Sequence, residues 1–143
     1  MTTIWTIGYE GKSQQDVVGQ LYGAEIGLLV DVRLRPQSRK PGLSKTTLGN
    51  GLADAGIRYE HRRPLGTPLE IRGLFRAKQY EEARTAYREH LLDAAVEDLE
   101  WLAQQAVEQR VAMLCFELKP DECHRRVIAE ELVRMHGVDV VDL

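Results

Sequence analysis

Two unbroken apolar stretches, Leu28-Leu29-Val30 and Val111 through Phe116, restrict this chain more than any other feature. A strand that is hydrophobic on every residue, rather than on alternate ones, has to be covered on both faces. The usual cover is a layer of helices on each side of a parallel sheet. The rest of the chain carries the matching signals. Ile4 to Ile7 reads as a first strand ending at Gly8, and Ile57 to His61 and Val138 to Val141 read as two more. Ser13 is placed to cap a helix that shows Val17, Val18, Leu21 and Tyr22 on one face. Ser44 is placed to cap a short helix through Ala55.

Leu34 to Leu43 is expected as a loop, with Pro36, Pro41 and Gly42 as breakers, and Gly66 to Gly73 as irregular chain. Helix is expected from about Gln79 with a break near His90. Leu92, Ala95, Val96, Leu99, Leu102, Ala103 and Ala106 then follow amphipathic spacing. Asp121 is expected to cap a last helix running to His136, with Gly137 as its stop. Strands alternating with helices define an α/β fold: one compact domain over residues 1–143, with a mostly parallel sheet of about five strands flanked by helices.

Composition bounds the function classes. No apolar run approaches the roughly 18 residues that span a bilayer, so no membrane partner is expected. Met1 to Gly8 lacks the basic and apolar regions of a signal peptide. Cys115 and Cys123 give no disulfide framework, and the expected compartment is the cytoplasm. The net charge of −3 conceals an asymmetry. From Val32 to Lys78 there are eleven Lys/Arg against three acids, a local charge of +8, while the remainder stands at −11. One basic segment on an acidic body indicates a focused anion site, or else a solvated basic surface.

Open parallel sheets bind ligands outside the carboxyl ends of their strands. That rule gathers Tyr9, Asp31, Arg33, Arg35, Arg39, His61, Cys115, Glu117, Cys123, His124 and Arg125 on one rim. The strand-loop-helix stretch from Cys115 to Arg125 is the strongest local signal. Its helix start would offer free amides and a positive dipole end to an anion, with Arg125 adding a bidentate contact. Cys123 there would have a lowered pKa, or else be a small packed residue. Glu117, Cys123 and His124 are the catalytic candidates, and the others are ligand-binding candidates. Arg125 has a structural alternative, pairing with Glu117 or Asp31. Asp31 reads best as the partner of loop amides and arginines. Tyr9 either covers the ligand or packs on the loop from Pro36 to Pro41.

Cys115, Cys123 and His124 are spaced too widely for a usual structural zinc site, and His61 completes the set only if the fold brings it close, so no metal is expected. There is no Gly-x-Gly-x-x-Gly, no Gly-Lys-Ser/Thr loop and no Gly-x-Ser-x-Gly elbow, and no cofactor is implied. Neither cysteine is followed six positions later by an arginine, so the cysteine-phosphatase loop is missing.

Four stretches together carry a resemblance. They are Thr6-Ile7-Gly8-Tyr9; Val30-Asp31-Val32-Arg33 with Pro36 and Ser38-Arg39; Tyr59 and His61 with Leu65-Gly66; and Cys115-x-Glu117-x-x-Pro120-x-x-Cys123-His124-Arg125. The chain resembles the family called domain of unknown function 488 over nearly its whole length. The resemblance implies a compact α/β fold with a shared polar site at the matching positions. One departure is that Gly42-Leu43 stand near where the family's basic-proline loop usually carries an aromatic. A partial likeness to rhodanese-like domains lies in Asp31-Val32-Arg33 and in Cys115 closing a later strand. The loop after Cys115 lacks glycine and arginine, however, and Glu117 would repel a thiosulfate-like anion. The expected function is binding of a small anionic ligand or nucleotide, and action on it. The alternative is a noncatalytic module for nucleic acid or another partner.

Overall fold

The computed structural model describes residues 2–143. The two apolar runs form the strands they predict: β2 (Leu28–Asp31) and β4 (Val111–Cys115) are buried along their full length. With β1 (Thr3–Gly8), β3 (Arg58–His61) and β5 (Asp139–Asp142) they make one sheet in the order β3-β2-β4-β1-β5, every neighbouring pair parallel. Successive residues of β4 serve opposite layers. Ala112 and Leu114 pack with Val17 and Leu21 of α1 (Gln14–Gly23) and with Leu48 and Leu52 of α2 (Lys45–Asp54). Val111, Met113 and Cys115 face the second layer, which comprises α4 (Tyr80–Ala94), α5 (Val96–Glu108) and α6 (Arg125–His136). Each fully buried leucine in these layers contributes about 2 kcal/mol.

Local chemistry sets several boundaries. Ser13 and Asp16 form a reciprocal capping box at the start of α1. Gly137 adopts the left-handed conformation (φ 66°) that ends α6, at little cost without a Cβ. Among the described residues, no helix is long and apolar enough to cross a membrane.

Four expectations need correction. The segment expected to be irregular contains α3 (Leu69–Arg76). Pro68 stands at its N-cap, where a missing amide costs nothing, and Gly73 is tolerated inside it because Ile71 and Phe75 pack on the core. α4 runs through His90, and the break falls at Ala95. Asp121 caps no helix: Pro120–Glu122 is a 3₁₀ turn, and α6 starts only at Arg125, with His124 as N-cap. Tyr22, expected on the inner face of α1, is exposed.

Candidate functional site

β1 and β4 lie side by side, and their onward connections leave for opposite faces of the sheet, from β1 into α1 and from β4 into α6. A crevice opens at the carboxyl ends of strands at such a point. The pairing continues past the strand ends, since the Tyr9 amide donates to Cys115 O (3.2 Å) and the Glu10 amide to Phe116 O (2.8 Å). Gly8 sits opposite Cys115 in register, and a Cβ there would collide with the Glu117 carbonyl. The loop after β4 can fold over the end of β1 only because residue 8 has no side chain.

The floor of the crevice is a saturated polar core. Asp31 is fully buried and accepts from Arg33 Nε (2.9 Å) and Nη2 (2.7 Å), from the Arg33 amide (3.1 Å) and from the Tyr59 hydroxyl. Arg33 Nη1 donates to Tyr9 Oη (3.2 Å) and Leu43 O (2.8 Å). Burial alone would lower the Arg33 pKa, but the hydrogen bonds and charge of Asp31 outweigh it and raise it. Burial, and then the charge of Asp31, push the Tyr59 phenol up. Tyr9 is held by Arg33 and by an edge-on contact with Phe116 (5.3 Å between centroids). His61 donates its Nε2–H to Arg33 O (2.7 Å), and it does not line the crevice.

Arg125 is 0% exposed and equally saturated. Its guanidinium donates to Thr6 Oγ1 (3.2 Å), Cys115 Sγ (3.0 Å), Leu118 O (3.0 Å) and Glu117 O. Neither expected pairing forms, with the Glu117 carboxylate or with Asp31: the residue ties the loop after β4, through the Glu117 and Leu118 carbonyls, to the Thr6 hydroxyl on β1. The first amides of α6 are also spent, on Cys123 Sγ, Cys123 O and His124 O. The helix start drawn from the sequence as an anion site is therefore internal.

Between these elements lie Cys115, Cys123 and His124, all buried, with their donor atoms within 4.8 Å of one another. The structure joins the two cysteines, left unpaired in the sequence reading, as a disulfide, with Cα atoms 7.4 Å apart. His124 Nε2 lies 2.7 Å from Val32 O, which only a ring N–H can satisfy, so Nδ1 carries the lone pair and faces Cys123 Sγ at 3.6 Å. Burial lowers the imidazole pKa to about 4, keeping it neutral. Burial also raises the Glu117 carboxyl, against the pull of its own amide and of Arg125.

The crevice has two continuous parts. The inner one, about 80 Å³, is lined by Arg33, Arg35, Thr67, Cys115, Glu117, Cys123 and His124. The outer one, about 500 Å³, is lined by Tyr9, Ser38, Arg39, Lys40, Arg76 and Tyr80, and the two share Arg72, Phe75, Phe116, Glu117 and Glu122. Thus, of the expected residues, Tyr9, Arg33, Arg35, Arg39, Cys115, Glu117, Cys123 and His124 line one crevice, while Asp31, His61 and Arg125 stand behind its walls. Sequence reasoning missed Arg72, Phe75, Arg76, Lys40 and Glu122. Arg72 and Arg76 are four apart on one face of α3, a pattern visible only once that segment is recognised as helix. Among the described residues, Arg35, Arg39, Lys40, Arg72 and Arg76 take part in no ion pair.

Fold and crevice together define a doubly covered parallel α/β domain with a polar, cation-rimmed cleft at its strand ends. The match to known families places it further: the family described as domain of unknown function DUF488 matches residues 13–132, and the chain belongs to it. No curated protein and no solved structure matches the chain.

Proposed function

We propose that this domain binds a small phosphate-bearing anion of about nucleotide size in the cleft and acts on it there. One observation carries the reading: Arg39, Lys40, Arg72 and Arg76 converge on the outer cleft, form no ion pair, and outnumber the two carboxylates there, Glu117 and Glu122. Exposed cations are common, but four unpaired ones around a single concavity focus a positive potential inside it. A volume of about 500 Å³ suits a small ligand. Phe75, Phe116 and Tyr80, which line the same cleft, offer flat apolar surface to a base or similar ring. Where the cleft narrows, the Glu117 carboxyl is the group able to take or give a proton. Long nucleic acid fits less well, because the remainder of the chain carries −11 against the +8 of the basic segment.

A thermal-shift screen tests this, with inorganic phosphate, sulfate, nucleotides, short oligonucleotides and carboxylic acids as probes. A mononucleotide at 100 times its Kd should add about 2.7 kcal/mol, or roughly 5–10 °C for a domain of this size. The shift should shrink in Arg72→Ala and in Arg76→Ala. A shift with oligonucleotides alone would favour the nucleic-acid module. No shift with any anion would overturn the reading.

A further inference from the structure

We infer that Cys115, Cys123 and His124, with both cysteines reduced, form a binding site for a zinc-type divalent cation whose fourth position opens into the cleft. Cys115 and Cys123 stand eight positions apart in sequence, and the fold brings them together. The end of β4 and the start of α6 converge, so that donor atoms eight positions apart come within 4.8 Å of one another and of His124. The Cα separation of 7.4 Å is wider than the roughly 4.4–6.8 Å that a disulfide ordinarily spans. It leaves room for an ion between two sulfurs, each at about 2.3 Å from it.

Every donor is oriented from behind. His124 gives its Nε2–H to Val32 O and presents the Nδ1 lone pair inward, the arrangement that metal-bound histidines use. Cys115 Sγ accepts from Arg125 Nη1 (3.0 Å) and Cys123 Sγ from the Arg125 amide (3.5 Å), so both sulfurs are supported as thiolates. Charges then cancel: two thiolates and the Glu117 carboxylate stand against Arg125 and a divalent ion. Two sulfurs and an imidazole select zinc over magnesium or calcium. Three protein donors with a fourth position open is the pattern of catalytic rather than structural zinc. Here the open side is the inner cleft beside Glu117, where an ion-bound water would lie next to a carboxylate.

Loading requires the dithiol. A phosphine or thiol reductant supplies two electrons and becomes oxidised, the S–S bond breaks, and two protons are taken up. Metal binding then releases two thiol protons.

The test is anaerobic titration of the reduced protein with Co²⁺, with no phosphate compound present. The expected result is one equivalent per chain with a sulfur-to-cobalt charge-transfer band and the strong visible bands of tetrahedral cobalt, displaced by Zn²⁺. Cys115→Ser and Cys123→Ser should each abolish the spectrum. The oxidised wild type, which needs no substitution, should bind none. A reduced wild type that leaves cobalt octahedral would overturn the inference, as would serine variants or oxidised protein giving the same spectrum. Because no anion is present, this outcome is independent of whether the outer cleft binds phosphate.

Discussion

The arginines at the strand ends fall into two groups that the sequence does not distinguish. Arg33 and Arg125 are buried, and their guanidinium groups are spent on a carboxylate, a phenol, a sulfur and main-chain carbonyls. Arg39, Arg72 and Arg76 line the cleft and pair with no acid among the described residues. The first group holds the site together, and the second is free for a ligand. An arginine's worth to binding is decided by its unused donors, not by its nearness to a strand end.

The largest effect should come from Asp31→Ala. It leaves the Arg33 cation buried without its partner, which costs about 3–5 kcal/mol, read as a fall in the urea midpoint. Arg125→Ala should cost less, about 2–4 kcal/mol, because it removes the buried charge and orphans only neutral acceptors. If either variant unfolded like wild type, that arginine would belong to the ligand-facing group after all.

A third effect depends on pH. His124 has a folded pKa of about 4 against an ordinary 6.5. Between those values the unfolded chain binds the extra proton, so stability falls as pH drops from 6.5 toward 4. The full effect is on the order of 3 kcal/mol in the metal-free protein. Glu117 acts in the opposite sense: its raised pKa makes the folded state hold a proton longer as pH rises. Urea titrations of wild type and Glu117→Gln across that window should therefore show a steeper loss on acidification in the variant. Equal slopes would put Glu117 in water rather than in the cleft wall.

The smallest effect on stability belongs to Arg72→Ala, below about 0.5 kcal/mol, as for a surface residue with no partner. Its phosphate-ligand affinity should nonetheless fall roughly tenfold, the equivalent of about 1.4 kcal/mol. Loss of stability without loss of affinity would invert the assignment.

What was legible in the sequence followed hydrophobic pattern and local capping. Unbroken apolar runs gave β2 and β4, Ser13 marked the start of α1, and Gly137 marked the end of α6. Locating the strand ends was enough to place Tyr9, Arg33, Arg35, Arg39, Cys115, Glu117, Cys123 and His124 around one crevice, but not to show that Asp31, His61 and Arg125 lie behind it. What was not legible depended on long-range packing. Pro68 and Gly73 looked like breakers, yet Ile71 and Phe75 find the core and make α3 a helix, carrying Arg72 and Arg76 to the cleft. Nothing local shows that Arg125 turns inward to Leu118 and Thr6, since its acceptors lie on a loop and on β1. The convergence of Cys115, Cys123 and His124 was likewise hidden, because it depends on how the loop after β4 folds over Gly8.

The most direct test of the central claim, that the exposed cations and not the buried ones hold the ligand, is an amide chemical-shift titration of this 16.2 kDa chain with inorganic pyrophosphate. The account predicts saturable shifts confined to Ser38–Lys40, Arg72–Arg76 and Phe116–Glu117. Saturable shifts centred instead on the start of α6, from His124 to Val127, or weak shifts spread over every surface lysine and arginine, would contradict it.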